Sequence, residues 1–182
     1  MNSIAQNSTS RWSEAQARGM PAQGVLLEVR VADQRVFVWS GGRIRTSYRV
    51  STARKGVGGR DGSHCTPPGW HEVASCLGSG LRRGSVLVSR RYTGEVLPRA
   101  QWRSAGGPDR ILTRILWLRG LEPGRNCGPG VDSYRRFIYF HGTNQEQHLG
   151  RPVSHGCIRV GNDDLLALFR RVHGRTTWCW IG

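Results

Sequence analysis

The sequence predicts a mainly β fold with one clear helix close to its C-terminal end. Three observations carry this expectation. Short runs with period-two alternation recur, beginning with Val25-Leu26-Leu27-Glu28-Val29-Arg30-Val31, where Val25, Leu27, Val29 and Val31 share a face. Twenty-five Gly and eight Pro are spread along the chain, which suits many short strands joined by turns more than a helical bundle. Only the segment from Asn162 to Gly174 combines helical periodicity with helix-end signals.

Taken in order, residues 1–23 are polar and irregular, with at most a short helix around Trp12 to Arg18. They read as an N-terminal segment ahead of a single domain over 24–182, since no linker or repeat divides the rest. Val25 to Val31, Val36 to Trp39 and Ile44 to Val50 form a β-meander, separated by the hairpin-length turns Ala32-Asp33-Gln34 and Ser40-Gly41-Gly42. Ser51 to His64 is rich in Gly and basic residues and reads as a long loop. Thr66-Pro67-Pro68-Gly69 then pins the chain in an extended turn that leads into a strand from Trp70. Ser85 to Ser89 is another strand, and Tyr92 to Pro108 reads as an excursion over the surface.

Ile111 to Leu118 is apolar on both faces, as a buried central strand is. After the Gly/Pro loop from Gly120 to Asp132, Arg136 to Phe140 is expected as the strand that delivers His141. In the helix, Asn162 is the N-cap candidate, with Asp163 and Asp164 in the first turn, Arg170, Arg171 and His173 in the last, and Gly174 to terminate it. Leu165, Leu168, Phe169 and Val172 form its apolar stripe. Thr176 to Ile181 closes the chain as a strand.

At 182 residues the chain buries roughly two-thirds of its unfolded surface, so a real core is available. Twenty-seven Lys and Arg against twelve Asp and Glu give +15, nearly all of it from Arg. That balance favours anionic partners, and Arg prefers planar, bidentate ones. The arginines are scattered, so a genome that encodes Arg freely explains them equally well. Five cysteines at 65, 76, 127, 157 and 179 include no CxxC pair, which points to free thiols and a reducing compartment. The N-terminus has neither a basic n-region nor an apolar h-region, and no stretch has the length of a transmembrane helix. The expected location is therefore cytoplasmic, or periplasmic if a leader has been removed.

The chemistry concentrates in Phe140-His141-Gly142-Thr143 and Ser154-His155-Gly156-Cys157-Ile158-Arg159. A cysteine becomes a nucleophile when its thiolate is populated, and a nearby histidine serves as general base and then general acid in acyl transfer. His141 and His155 are both candidates for that base. His141 ends a strand and can approach through space, whereas His155 shares a face with Cys157 if the segment is extended. Gly156 allows a tight turn that leaves amides free for an oxyanion. Cys76, Cys127 and Cys179 read as small buried hydrophobes. Ser63-His64-Cys65 mimics the motif without its glycine, and reads as a decoy or at most a cleft-lining loop. His71 and His173 read as structural or surface groups, His148 as a loop residue that covers the site or is solvated, and Trp70, Trp102 and Trp117 as core or lid.

The two motifs, together with Val50-Ser51-Thr52 and Thr66-Pro67-Pro68-Gly69, resemble the YkuD-type L,D-transpeptidase catalytic domain over roughly Val25 to Ile181. The resemblance implies a β-sandwich of mixed sheets. It also implies a cysteine acyl-enzyme that cleaves the meso-diaminopimelate–D-Ala bond of peptidoglycan tetrapeptide stems or muropeptides, with no cofactor and no metal. Carried over residue by residue, Cys157 is the nucleophile and His141 the general base, oriented by the carbonyl of Gly142. The amides around His155 and Gly156 line the oxyanion hole, while Ser154 and Arg159 support the loop and contact substrate. Carbapenem acylation of Cys157 is a further implication.

Without a leader, the expected acceptor is water, which makes the protein an L,D-carboxypeptidase of murein recycling. The alternative is a transpeptidase that forms 3→3 cross-links or protein–peptidoglycan linkages. Two rivals stand further off: a zinc site built from His141, His148, His155 and Cys157, and a basic nucleic-acid-binding module. The spacings match no zinc pattern, and the chain has no RNP-like motif, zinc finger or basic helix, so nucleic acid is not the expected partner.

Overall fold

A computed structural model describes residues 11–103 and 107–182. Helix α1 occupies residues 11–17. The strands are β1 (Val25–Arg30), β2 (Arg35–Ser40), β3 (Arg43–Ser51), β4 (Gly69–Leu77), β5 (Ser85–Val88), β6 (Arg91–Val96), β7 (Ile111–Gly120), β8 (Tyr139–Gly142), β9 (Ile158–Val160) and β10 (Thr177–Ile181). Helix α2 (Asn162–Val172) lies between β9 and β10.

The mainly β, mixed architecture is the one expected, with its layers joined into a single ring. Hydrogen bonding runs β4-β10-β1-β2-β3-β9-β8-β7, and β7 closes the ring on β4, while β5 and β6 extend the sheet beyond β7. The β1–β10 and β8–β9 pairs are parallel. Ring closure is possible because β7 is long: its first residues pair with β5 at Leu112↔Val86, and its later ones with β4 from Ile115↔Leu77 to Gly120↔His71. A positive φ of 71° at Thr113 marks the break in register between the two.

The alternation of β1 sends Val25, Leu27 and Val29 into one core with Val36, Val38, Leu116, Leu118, Phe140, Ile158 and Val160. Helix α2 adds Leu165, Leu168, Phe169 and Val172 to it. Burial of each of these side chains contributes about 1.5–3 kcal/mol, so α2 is held by its apolar stripe more than by its caps. The opposite face of β1 and β2 carries a second cluster, in which Ala15 and Met20 of the N-terminal segment pack on Leu26, Trp39 and Trp70. There the Trp70 indole donates to Glu14 Oε1 at 3.0 Å. Residues 1–10 of the polar segment lie outside the described residues.

Three local expectations are corrected, and one strand, β9, is added to them. The excursion from Tyr92 begins as strand β6, which forms a tight hairpin with β5 through Ser89 and Arg90, both at positive φ (47° and 69°). The strand before His141 starts at Tyr139, because Asp132 gathers the preceding residues into a turn, accepting from Arg135 N at 3.0 Å and, through its carbonyl, from Arg136 N at 2.9 Å. A three-residue strand, β9, separates Cys157 from α2. Finally, Gly161 is the N-cap of α2, and Asn162 is its first helical residue. The helix-end amide of Asn162 is satisfied from outside, by Glu146 Oε1 at 2.7 Å.

Candidate active site

The parallel pairing of β8 with β9 brings the two sequence motifs together. Its register is Phe140↔Ile158, His141↔Arg159 and Gly142↔Val160. Phe140 and Ile158 face the core, so His141, Arg159 and the preceding alternate residue, Cys157, share the other face. Sixteen residues of separation in sequence therefore become one strand spacing across the ladder. Gly142 is needed at this crossing: a Cβ there would run into Asn162 Oδ1 and the Leu112 carbonyl.

His141 is 3% exposed, and its Nδ1 lies 2.8 Å from the Gly142 carbonyl. A carbonyl only accepts, so Nδ1 carries the proton and Nε2 holds a free lone pair. Burial depresses the imidazole's proton affinity, Asp109 and the Gly142 carbonyl raise it, and Arg159 opposes them. The His141 ring is therefore neutral at neutral pH.

Cys157 is half-buried, and its thiol donates to the Phe137 carbonyl at 3.3 Å. Burial pushes this thiol up to about 11. The Tyr139 amide acts against that rise and Asp109 adds to it, while Arg159 and Arg136 draw it down. At rest the site thus holds a neutral thiol beside a neutral imidazole. Reaction requires the S–H to turn from the Phe137 carbonyl towards Nε2.

The same cavity is lined by an ion pair of a buried arginine and a half-buried aspartate. Arg159 is 3% exposed, and its Nε stands 2.8 Å from Asp109 Oδ2 as a charge contact, while Nη1 donates to Gln145 Oε1 at 3.0 Å. Thr143 Oγ1 donates to the other oxygen of Asp109. Asn162 ties the same motif to α2, donating from Nδ2 to the Thr143 carbonyl and to Glu146 Oε1, both at 2.8 Å, and accepting from Thr113 Oγ1 at 2.6 Å.

The Ser154–Cys157 turn is built inward. Ser154 Oγ donates to the Cys157 carbonyl at 2.6 Å and accepts the Gly156 amide at 3.2 Å, so this hydroxyl is committed to the loop. Gly156 has φ 132°, a conformation that favours glycine, and its carbonyl accepts from Thr66 Oγ1 at 2.9 Å. His155 is exposed and meets the His64 ring edge-on, with centroids 6.1 Å apart. The Ser63–Cys65 loop buttresses this turn, and Arg136 clamps it by donating to the Cys65 carbonyl at 2.8 Å and the Gly59 carbonyl at 2.8 Å.

A cavity of about 550 Å³ opens beside the thiol, lined among others by His141, Cys157, Arg159, Asp109, Arg54 and His148. Among the described residues no three of His, Cys, Asp or Glu converge as a metal-binding group, so the four zinc-ligand candidates do not assemble. All five cysteines are free thiols; Cys179 lies in the core, with Cys76 packed against it. Trp70 and Trp102 are buried and Trp117 is half-buried, stacked on Tyr134 at 3.9 Å.

Asp109, Arg54 and Gln145 line the site without any local sequence signal. Asp109 sits just ahead of β7, and the Leu112↔Gly142 pairing, with the bond from Arg110 N to Asn144 Oδ1, brings it to the cavity that His141 lines. Arg54 arrives through the Ala53↔Ser154 bridge, and its amide donates to the Ser154 carbonyl at 3.0 Å.

Comparison with known proteins follows the same lines. Residues 24–179 match the model of the YkuD family, the L,D-transpeptidase catalytic domain. YqjB of Bacillus subtilis (strain 168), provisionally named an L,D-transpeptidase, is 46% identical over 97 residues, 49% of this chain and 54% of that protein. YbiS of Escherichia coli (strain K12), likewise provisionally named, is 34% identical over 73 residues, 40% of this chain and 22% of its own length. The aligned part thus spans about half of the first relative and about a fifth of the second.

Among solved structures, L,D-transpeptidase 3 from Mycobacterium tuberculosis, in complex with a faropenem-derived adduct, superposes with a TM-score of 0.51 at 16% identity, covering 87% of this chain and 60% of that one. The Ldtfm–avibactam carbamoyl enzyme gives a TM-score of 0.52 at 13% identity, covering 87% of this chain and 49% of that one. At these identities the likeness is one of fold. No helix among the described residues is long and apolar enough to cross a membrane.

Proposed function

The chain belongs to the YkuD family of L,D-transpeptidase catalytic domains, and from that premise we propose that it is a cysteine acyl-enzyme acting on peptidoglycan tetrapeptide stems. The observation that carries the proposal is the placing of Cys157 and His141 on one face of the β8–β9 ladder, at a common cavity. As sulfur attacks the carbonyl between meso-diaminopimelate and D-Ala, its proton passes to His141 Nε2 and a C–S bond forms. The C–N bond then breaks, and His141 returns the proton to the departing D-Ala amine, leaving a thioester. The amides of the His155–Cys157 turn receive the oxyanion in this scheme, and the Gly156 amide gives up Ser154 Oγ to do so.

Water is the proposed acceptor. It loses a proton to His141 as it attacks the thioester. The C–S bond breaks, sulfur takes the proton back, and the net reaction is tetrapeptide to tripeptide plus D-Ala, an L,D-carboxypeptidase. The cavity that Cys157 and His141 share, about 550 Å³ in volume, has room for the departing D-Ala and for the entering water. The second reading, attack by an amine of another stem to give a cross-link, is favoured by the family to which the chain belongs.

Incubation with a disaccharide tetrapeptide, followed by mass analysis, tests both readings. Tripeptide and D-Ala in equal amounts, lost in Cys157→Ala, are expected. Cross-linked dimer as the main product overturns water as the acceptor, and no Cys157-dependent product overturns the acyl-enzyme itself. The faropenem-derived adduct in the M. tuberculosis neighbour supports a further outcome, a faropenem-derived mass increment on Cys157.

A further inference from the structure

Two arginines line the cavity, and they are chemically unlike. Arg159 is buried, its charge is already matched by Asp109, and Gln145 accepts from its Nη1. Arg54 is exposed, and among the described residues its guanidinium makes no hydrogen bond, ion pair or ring contact. Its backbone is nonetheless fixed. Its backbone amide is bonded to Ser154 O at 3.0 Å, and the Ser154 hydroxyl is bonded to Cys157 O at 2.6 Å. The side chain is therefore carried by a segment whose backbone is bonded to the turn that bears the thiol.

The place of the leaving group follows from the general acid. His141 must come within roughly 2.6–3.2 Å of the amine that departs. In a terminal amino acid the amine and the carboxylate are attached to a single Cα, so they lie within about 3.8 Å of each other. A free C-terminal carboxylate thus falls inside the cavity that His141 and Arg54 share, within roughly 7 Å of the imidazole. A carboxylate entering there meets, in Arg54, a guanidinium with no partner among the described residues, a planar fork suited to bidentate contact.

We propose that Arg54 is the specificity-determining residue that binds the free C-terminal carboxylate of the substrate's leaving residue, and so restricts cleavage to stems that end at that residue. Resting on the acyl-enzyme reading above, this assigns carboxylate recognition to Arg54 and leaves Arg159 as a positioning group for Asp109 and Gln145.

The test uses three muropeptide substrates: a tetrapeptide with its terminal carboxylate, the same tetrapeptide as its C-terminal amide, and one amidated instead on the diaminopimelate carboxylate. The wild type is expected to favour the first over the C-terminal amide by about 10- to 100-fold in kcat/KM, the range of a lost charge-assisted contact. Arg54→Ala should lose that factor on the first and third substrates, mainly through KM, and change far less on the C-terminal amide. Arg54→Lys should recover part of it. An unchanged rate of Cys157 alkylation reports an intact turn. Equal losses on all three substrates, or a loss that vanishes only on the diaminopimelate amide, overturn the assignment. A wild type that turns over none of them overturns the acyl-enzyme reading and this one with it.

Discussion

Acid should weaken this protein through a residue remote from the thiol, His71. Its side chain is fully buried on β4, with Nδ1 3.0 Å from the Gly69 carbonyl and Nε2 3.0 Å from Ser133 Oγ. Burial is the main reason why its pKa drops from 6.5 to about 4, with Arg125 and Arg136 adding to the effect and the Gly69 carbonyl opposing it. Because the folded value lies below the unfolded one, the unfolded chain takes up the proton first. The stabilisation is complete above 6.5, declines as pH falls towards 4, and is gone below that.

The gap from 6.5 to about 4 amounts to about 3 kcal/mol in all, of which about 2 kcal/mol is lost between pH 7 and pH 5. Urea unfolding at pH 7, 6 and 5 should therefore show the wild type losing about 2 kcal/mol more than His71→Gln. That variant starts about 1 kcal/mol lower at pH 7, for the hydrogen bond it cannot replace. His141 titrates in the same sense in both proteins and cancels in the difference. Parallel stability curves for the two proteins would refute the reasoning. Hydrogen bonds connect this residue to the site: Ser133, which holds Nε2, accepts the Ile138 amide at 3.1 Å through its carbonyl, next to the Phe137 carbonyl that holds the thiol.

Two further outcomes follow from the site. Alkylation of Cys157 by iodoacetamide should be slow at pH 7 and rise about tenfold per pH unit up to about 11, where the thiol titrates; a plateau near pH 7 would show a preformed thiolate. Asp109→Asn should destabilise the fold by about 3–5 kcal/mol in thermal or urea unfolding, because it leaves Arg159 buried and unpaired, and the double variant Asp109→Asn with Arg159→Gln should recover most of that loss. If the double variant is no more stable than the single one, the two charges are not coupled.

How much of this was legible depends on whether a feature is local. Cys157 and the two candidate bases, His141 and His155, are legible because their residue types are themselves the chemistry and each sits in a short motif, while the choice of His141 comes from the family resemblance. The stripe of α2 was legible because helical spacing shows directly which side chains are buried. Asp109 was not, since its role comes from the pairing of β7 with β8, and register across a ladder has no signature within one strand. Asn162 misled for a related reason. Its residue type fits an N-cap, but a buried asparagine with Thr113, Thr143 and Glu146 around it satisfies its side chain there. For Ser154 the family resemblance implies loop support as well as substrate contact, and its hydroxyl is engaged on both sides by its own loop.

The charges of the site account for its resting state and for the way it leaves that state. Asp109 favours a proton on His141 but disfavours the thiolate on Cys157, whereas Arg159 does the reverse on both. Placed 2.8 Å apart, the two act as one nearly neutral dipole, so neither direction of proton transfer is strongly driven. Burial then decides the balance, and burial penalises both ions of a thiolate–imidazolium pair. The neutral pair is retained until a carbonyl carbon is present to accept the sulfur's electrons, when charge passes on to the oxyanion and its amide donors. An enzyme arranged in this way does not keep a reactive thiolate exposed to oxidants between turnovers. It also explains why the substrate's own charge must be met elsewhere: the Asp109–Arg159 pair has no charge to spare, and Arg54, outside that pair, has one.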